Sequence, residues 1–238
     1  MTLPMTKLLA SFRLMAIPLA ALVLSSQLQA IPIRVLAWDS EVAAMHLAIR
    51  DSKGVTVIES MHPSKRTAAY KIATGKTPLV VEALDLKGPD GKPITTEIKI
   101  PEGMKQPLLV IQPAEKPGDG IRIIVLEDDA KTFDWGSTRF INTTDKKLVF
   151  SYEKETVELP PSLEPVKVKP GGDARNMEVK FFSSDQLDRP FYSGIWEHDP
   201  ELRTLIFLAS VEDTGTGPVA MKMISEDRRN TKAADGKR

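Results

Sequence analysis

Trp196-Glu197-His198-Asp199-Pro200-Glu201 is the one place in the chain where an imidazole stands between two carboxylates and beside an indole. Those groups make metal sites, acid–base pairs and polar ligand pockets. A metal site needs three or four donors converging on one point. Successive residues of an extended chain point to opposite sides, so this trio does not converge unaided. Only two other histidines exist, His46 and His62, at no ligand spacing, and the regular acids of a calcium loop are missing. Asp-Pro opens turns, because Pro presets φ and Asp bonds the backbone ahead of it. The segment therefore reads as the solvated tip of a hairpin between strands at 191–197 and 202–210. Trp196, Glu197, His198, Asp199 and Glu201 form the candidate ligand surface, with no catalytic, metal or cofactor residue assigned.

Other chemistry is weaker. Gly75-Lys76-Thr77 imitates a phosphate loop, but Tyr70 stands where the earlier Gly belongs and Pro78 opens a β-run instead of a helix. The Gly-rich TGTGP at 214–218 is a turn with no helix behind it. A Gly-x-Ser-x-Gly elbow is absent, and with no cysteine there is no thiol chemistry. Glu82, Asp85, Glu97 and Glu197 are carboxylates that sugar hydrolysis would need in facing pairs, and the sequence does not pair them. Trp38, Trp135 and Trp196 are expected in cores or, with Phe133, at a domain junction.

The elements around these residues are strands. Short β-branched runs alternate with Gly/Pro-rich turns such as DSKG (51–54), KGPDGKP (87–93) and PAEKPGDG (113–120). In 202–210, Leu202, Thr204, Ile206 and Leu208 share one face while Arg203, Leu205, Phe207 and Ala209 share the other, the pattern of a strand covered on both sides. The stretch 39–52 is read mainly as strand, with a short helix capped by Asp39 or Ser40 as the alternative. Two series of runs resemble each other. IRVLAWDSE (33–41) aligns with TRFINTTDK (138–146), PLVVEAL (78–84) with NMEVKFF (176–182), PLLVIQPA (107–114) with RTLIFLAS (203–210), and IRIIVLEDD (121–129) with VAMKMISED (219–227). The offset stays near ~100 residues, the size of one sandwich domain.

Within 31–129, the runs IRVLAWDSEVAAMHLAIRDSKGVTVIES, AAYKIATGKTPLVVEALD, LLVIQ and IRIIVLEDD are similar to a family of secreted bacterial β-sandwich modules. That family often occurs in tandem and has no assigned biochemical role. Where its copies carry a VDVYVDG-like second strand, this chain has MHLAIRDSKG (45–54). The resemblance implies a sandwich and supplies no catalytic residue.

The first thirty residues carry Lys7 and Arg13, then an apolar block at 14–24, then small and polar residues. This is the layout of a secretory signal cut after Ala30, or alternatively after Ser25. Lys plus Arg equals Asp plus Glu at 32 each, so removing Lys7 and Arg13 leaves about −2. No basic stripe is present, which argues against nucleic acid. The expected fold is all-β: two tandem immunoglobulin-like antiparallel β-sandwich domains after a signal peptide. The boundaries are 1–30 for the signal, 31–130 and 131–226 for the domains, and 227–238 for a disordered tail. The expected role is an exported, non-enzymatic structural or interaction component of the bacterial cell envelope, periplasmic or on the outer surface. It would have no cofactor, another envelope protein as partner, and no membrane span in the mature chain. The alternative is a carbohydrate or small-ligand binding module using the Trp196 loop.

Overall fold

The structure, a computed structural model, describes residues 29–75, 78–116, 119–211 and 219–235. The expected signal up to residue 28, Lys76 and Thr77, the TGTGP turn and residues 236–238 lie outside the described residues. The first half comprises β1 (Gln29–Ala37), α1 (Ser40–Ala44), β2 (Leu47–Arg50), β3 (Val55–Ile58), β4 (Tyr70–Thr74), β5 (Leu79–Lys87), β6 (Pro93–Ile98), β7 (Pro107–Pro113) and β8 (Ile121–Glu127). The second comprises β9 (Thr138–Asn142), β10 (Leu148–Tyr152), β11 (Glu155–Leu159), β12 (Ser162–Val168), β13 (Arg175–Ser183), β14 (Tyr192–His198), β15 (Leu202–Ser210), β16 (Val219–Asp227) and α2 (Arg228–Asp235).

Each half builds two four-stranded sheets. The orders are β4-β1-β7-β8 facing β3-β2-β5-β6, and β12-β9-β15-β16 facing β11-β10-β13-β14. The second pair repeats the first strand for strand. Alternation explains the packing. Ile33, Val35, Leu47, Ile49, Val81, Leu109 and Ile111 fill the first sandwich, and Phe140, Phe150, Val179, Phe181, Ile206 and Leu208 fill the second. The opposite faces of β1, β7, β9 and β15 are also apolar. Leu36, Leu108, Val110, Ile141, Leu205 and Phe207 join with Phe133 in a third core between the halves. β15 is thus covered on both faces, as its sequence required. The molecule is a stack of four sheets with the mixed ones inside.

Several expectations need correction. β1 runs parallel to β7 and β9 parallel to β15, so the sandwiches are not purely antiparallel. Immunoglobulin domains keep their first two strands side by side; here β1 and β2, like β9 and β10, lie in different sheets. The 39–52 stretch divides: Asp39 caps α1 by accepting a hydrogen bond from the Val42 amide at 2.8 Å, and only Leu47–Arg50 is strand. Residues 228–235 of the expected disordered tail are helical. The alignment of β7 with β15 is one residue out of step. Arg34 lies opposite Leu108 and Arg139 opposite Leu205, which makes Leu108 the counterpart of Leu205.

Candidate binding groove in the second sandwich

The ladder between β13 and β14 decides which way the candidate residues face. Met177 pairs with Trp196 and Arg175 with His198, on the inner side; Glu178 pairs with Ile195 and Asn176 with Glu197, on the outer. Ile195 and Glu197 are accordingly exposed, Trp196 is half-buried and His198 is buried. The connection that follows is not a hairpin tip. β14 belongs to the outer sheet and β15 to the inner one, so residues 199–201 cross between layers. The Asp-Pro turn itself forms as expected: Asp199 accepts from the Glu201 amide at 2.8 Å, and the Leu202 amide reaches the Asp199 carbonyl at 3.0 Å. Arg229 of α2 holds the Asp199 carboxylate at 3.0 Å, and Glu201 lies 3.7 Å from Arg228. The crossing seals His198 against Gly136, whose amide donates to the Leu202 carbonyl.

His198 is 5% exposed, and its Nε2 is buried with no hydrogen-bond partner. It lines a groove of about 310 Å³ between the edge strands β14 and β16. Trp196 and Met177 form one wall, Thr204, Ile206, Met223 and Ser225 the other. Trp196 offers no free platform. It stacks on Phe150 at 5.6 Å, packs against Phe181 at 5.7 Å, and donates its Nε1 proton to the Tyr192 hydroxyl at 3.0 Å. Gly194 makes that bond possible, since a Cβ there would sit 2.7 Å from the Tyr192 oxygen. The Glu153 carboxyl is held below its usual range, first by its bond to Arg175 and further by the Arg175 charge.

The first sandwich has the same edges but closes them. Thr96 of β6 donates to the Ile121 carbonyl of β8 at 3.1 Å. Through the aligned runs 78–84 and 176–182, its counterpart on β14 is Gly194, which has no side chain to bridge. Among the described residues no hydrogen bond joins β14 to β16. Counting along the same aligned runs, the sequence counterpart of His198 is Ile100, two residues past the end of β6 and packed on the first core. A larger depression of about 890 Å³ lies at the corresponding corner of the first sandwich, beside Ala30, Ile98 and Met104. His198 Nε2 is the sole unpartnered buried side-chain polar atom among the described residues, and it does not line that depression.

The remaining candidates disperse. His46 is exposed beside Asp85, His62 bonds Ser64, and Glu82 is taken by Arg50. Among the described residues no three His, Cys, Asp or Glu side chains gather as a metal site. Sequence reasoning missed a second cluster, at the junction. Arg66 grips Asp128 through two bonds of 2.9 and 3.0 Å, Arg203 meets Glu226 at 2.8 Å, and Arg34 contacts both acids. Phe133 lies under Arg139 at 4.5 Å and under Arg203 at 5.1 Å; Trp135 lies 4.9 Å from Arg203. Burial alone would raise the Glu226 carboxyl, yet Arg34, Arg66 and Arg203 hold it down at about 2. The aligned repeats carried the signal, because Asp128 matches Glu226 and Arg34 matches Arg139.

No family model matches the chain, and no curated protein matches it in sequence. Among solved structures the chain is similar to one described as the A and B domains, both of the C2 type, of extended-synaptotagmin 2. Identity is 10%, coverage is 95% of this chain and 98% of that chain, and the TM-score is 0.20. At that score the likeness carries no argument about fold or function.

Proposed function

We propose that this protein is an exported, non-enzymatic interaction component of a bacterial cell envelope, and that it engages a partner protein along the β14–β16 edge. The observation that carries the reading is the gap between those edges. Two adjacent edge strands with unpaired backbone border a partly apolar groove, where Met223 is 46% exposed. Edges of this kind accept an added strand, with backbone bonds giving affinity and side-chain pockets giving specificity. The β6–β8 edge of the first sandwich is instead bridged by Thr96 and the Ile121 carbonyl. The carbohydrate alternative loses its main support, because the Trp196 ring is occupied by Phe150, Phe181 and Tyr192.

Export rests on the basic and apolar layout of the first thirty residues, and kinship with the secreted modules rests on the motifs of 31–129. β1 already pairs at Gln29 and Ala30, so cleavage after Ser25 would spare the whole strand. N-terminal sequencing of the protein recovered from the envelope should begin at residue 26; an unprocessed chain in the cytoplasm would contradict export. Contact is tested with a photo-crosslinking residue placed at Met223 and, as control, at the comparably exposed Val57 on β3. A discrete adduct from position 223 alone is expected. Equal labelling from both positions, or none, would overturn the edge as the contact.

A further inference from the structure

We propose that the groove takes an extended, acid-poor peptide segment of a partner protein and that His198 Nε2 is its polar anchor, hydrogen-bonding the backbone of the inserted strand. This rests on the edge reading above. A buried polar atom left unpaired is costly, and nearly all such atoms in folded proteins are satisfied. His198 Nε2 is the exception among the described residues, and His198 lines the end of the groove beside Asp199. In the first sandwich the sequence counterpart of His198 is Ile100, an apolar residue packed on the core. A histidine whose Nε2 is buried without a partner is explained by what enters.

The chemistry of the entrant follows. Nε2 is a donor in one tautomer and in the protonated ring, and an acceptor in the other tautomer. A peptide backbone supplies both C=O and N–H and satisfies either form. An acyl chain satisfies neither. The lining contains Glu197 and Asp199 and no Lys or Arg. Asp199 is neutralised by Arg229, whereas Glu197 has no ion-pair partner among the described residues. Acidic segments and anionic ligands are therefore disfavoured. Apolar side chains of the segment would pack against Ile195 and Met223, both exposed in the lining.

A displayed library of linear peptides, selected on the wild-type protein, tests this. The selected peptides should alternate apolar residues and lack acids. His198→Leu should weaken their binding about tenfold or more, the loss of one buried hydrogen bond. His198→Gln, which keeps a donor and an acceptor, should bind within a few-fold of wild type, a rescue that mere packing at this position does not predict. In the wild type, the imidazole nitrogen resonances should shift on peptide addition, a readout that requires no variant. Unchanged imidazole signals, or full binding by His198→Leu, would sink the anchor, while loss of binding in Met223→Arg would still uphold the edge. If Met223→Arg binds as wild type, if only acidic peptides emerge, or if none does, the edge reading falls and takes the anchor with it.

Discussion

Glu226 shows how far one residue can depart from what its type suggests. It opens a run of charges and reads as the start of a solvated tail, yet its side chain is only 11% exposed, between arginines 34, 66 and 203. Those partners come from distant strands, so no local pattern announces the burial. Its carboxyl falls from an ordinary 4.5 to about 2, which is worth on the order of 3 kcal/mol. The folded pKa is depressed, so this stabilisation is complete above pH 4.5 and disappears as the pH falls from there to about 2. Glu226→Gln should lower unfolding free energy at pH 7 by about 3 kcal/mol, since it strands buried guanidiniums. It should also flatten the acid limb in urea titrations between those two pH values. Asp134 is likewise held at about 2, first by Lys169, against a smaller burial effect, and then by Lys167. Those lysines are exposed, and solvent screening keeps the expected cost of Asp134→Asn under about 1 kcal/mol. His198 was legible as a chemical candidate and illegible as a buried one, because its burial depends on the sheet the chain enters next.

At the scale of elements, alternation and turn residues were enough to locate nearly every strand, including both faces of β15. They could not assign partners. An Asp-Pro turn serves a hairpin and a crossing between sheets equally well, so residues 199–201 were expected to join neighbours when they join layers. The slip of one residue between β7 and β15 has a similar origin: where both faces are apolar, either register looks buried. The crossing depends on Gly136, which has φ +74° and would place a Cβ 3.2 Å from the Pro200 Cα. Gly171 has a similar φ of +69° with open space around it. Both alanine variants incur the left-handed penalty of about 1 kcal/mol. Gly136→Ala adds a clash with backbone that holds His198, and its total should reach about 2–3 kcal/mol. Denaturant midpoints of the two variants compare directly, and equal losses would show that the 199–201 crossing yields freely.

For the molecule as a whole, the question is whether two sandwiches with one strand order behave as two bodies or one. The aligned runs made the repetition readable, and the two apolar faces of β15 marked it as a strand covered on both sides. The contact between halves was not readable, since a strand buried on both faces does not reveal what covers its second side. In the structure that cover is the other half: Leu36, Val110, Ile141 and Phe207 are all fully buried in the shared core. Trp38 packs edge-on against Phe207 at 5.2 Å, and the Arg66–Asp128 and Arg203–Glu226 pairs close one rim. Three cores joined through common strands should melt together. Trp38 reports on the junction and Trp196 on the distal core, so single-tryptophan variants retaining one or the other should give coincident transitions. Val110→Asp places an unpaired carboxylate in the junction at a cost of several kcal/mol. It leaves the inward-facing Leu109 and Ile111 untouched. The Trp38 transition should then precede that of Trp196, exposing a second sandwich stable by itself. Transitions that stay coincident with an unmoved midpoint would mean that the junction contributes little, and the four sheets would then be two separate bodies in contact.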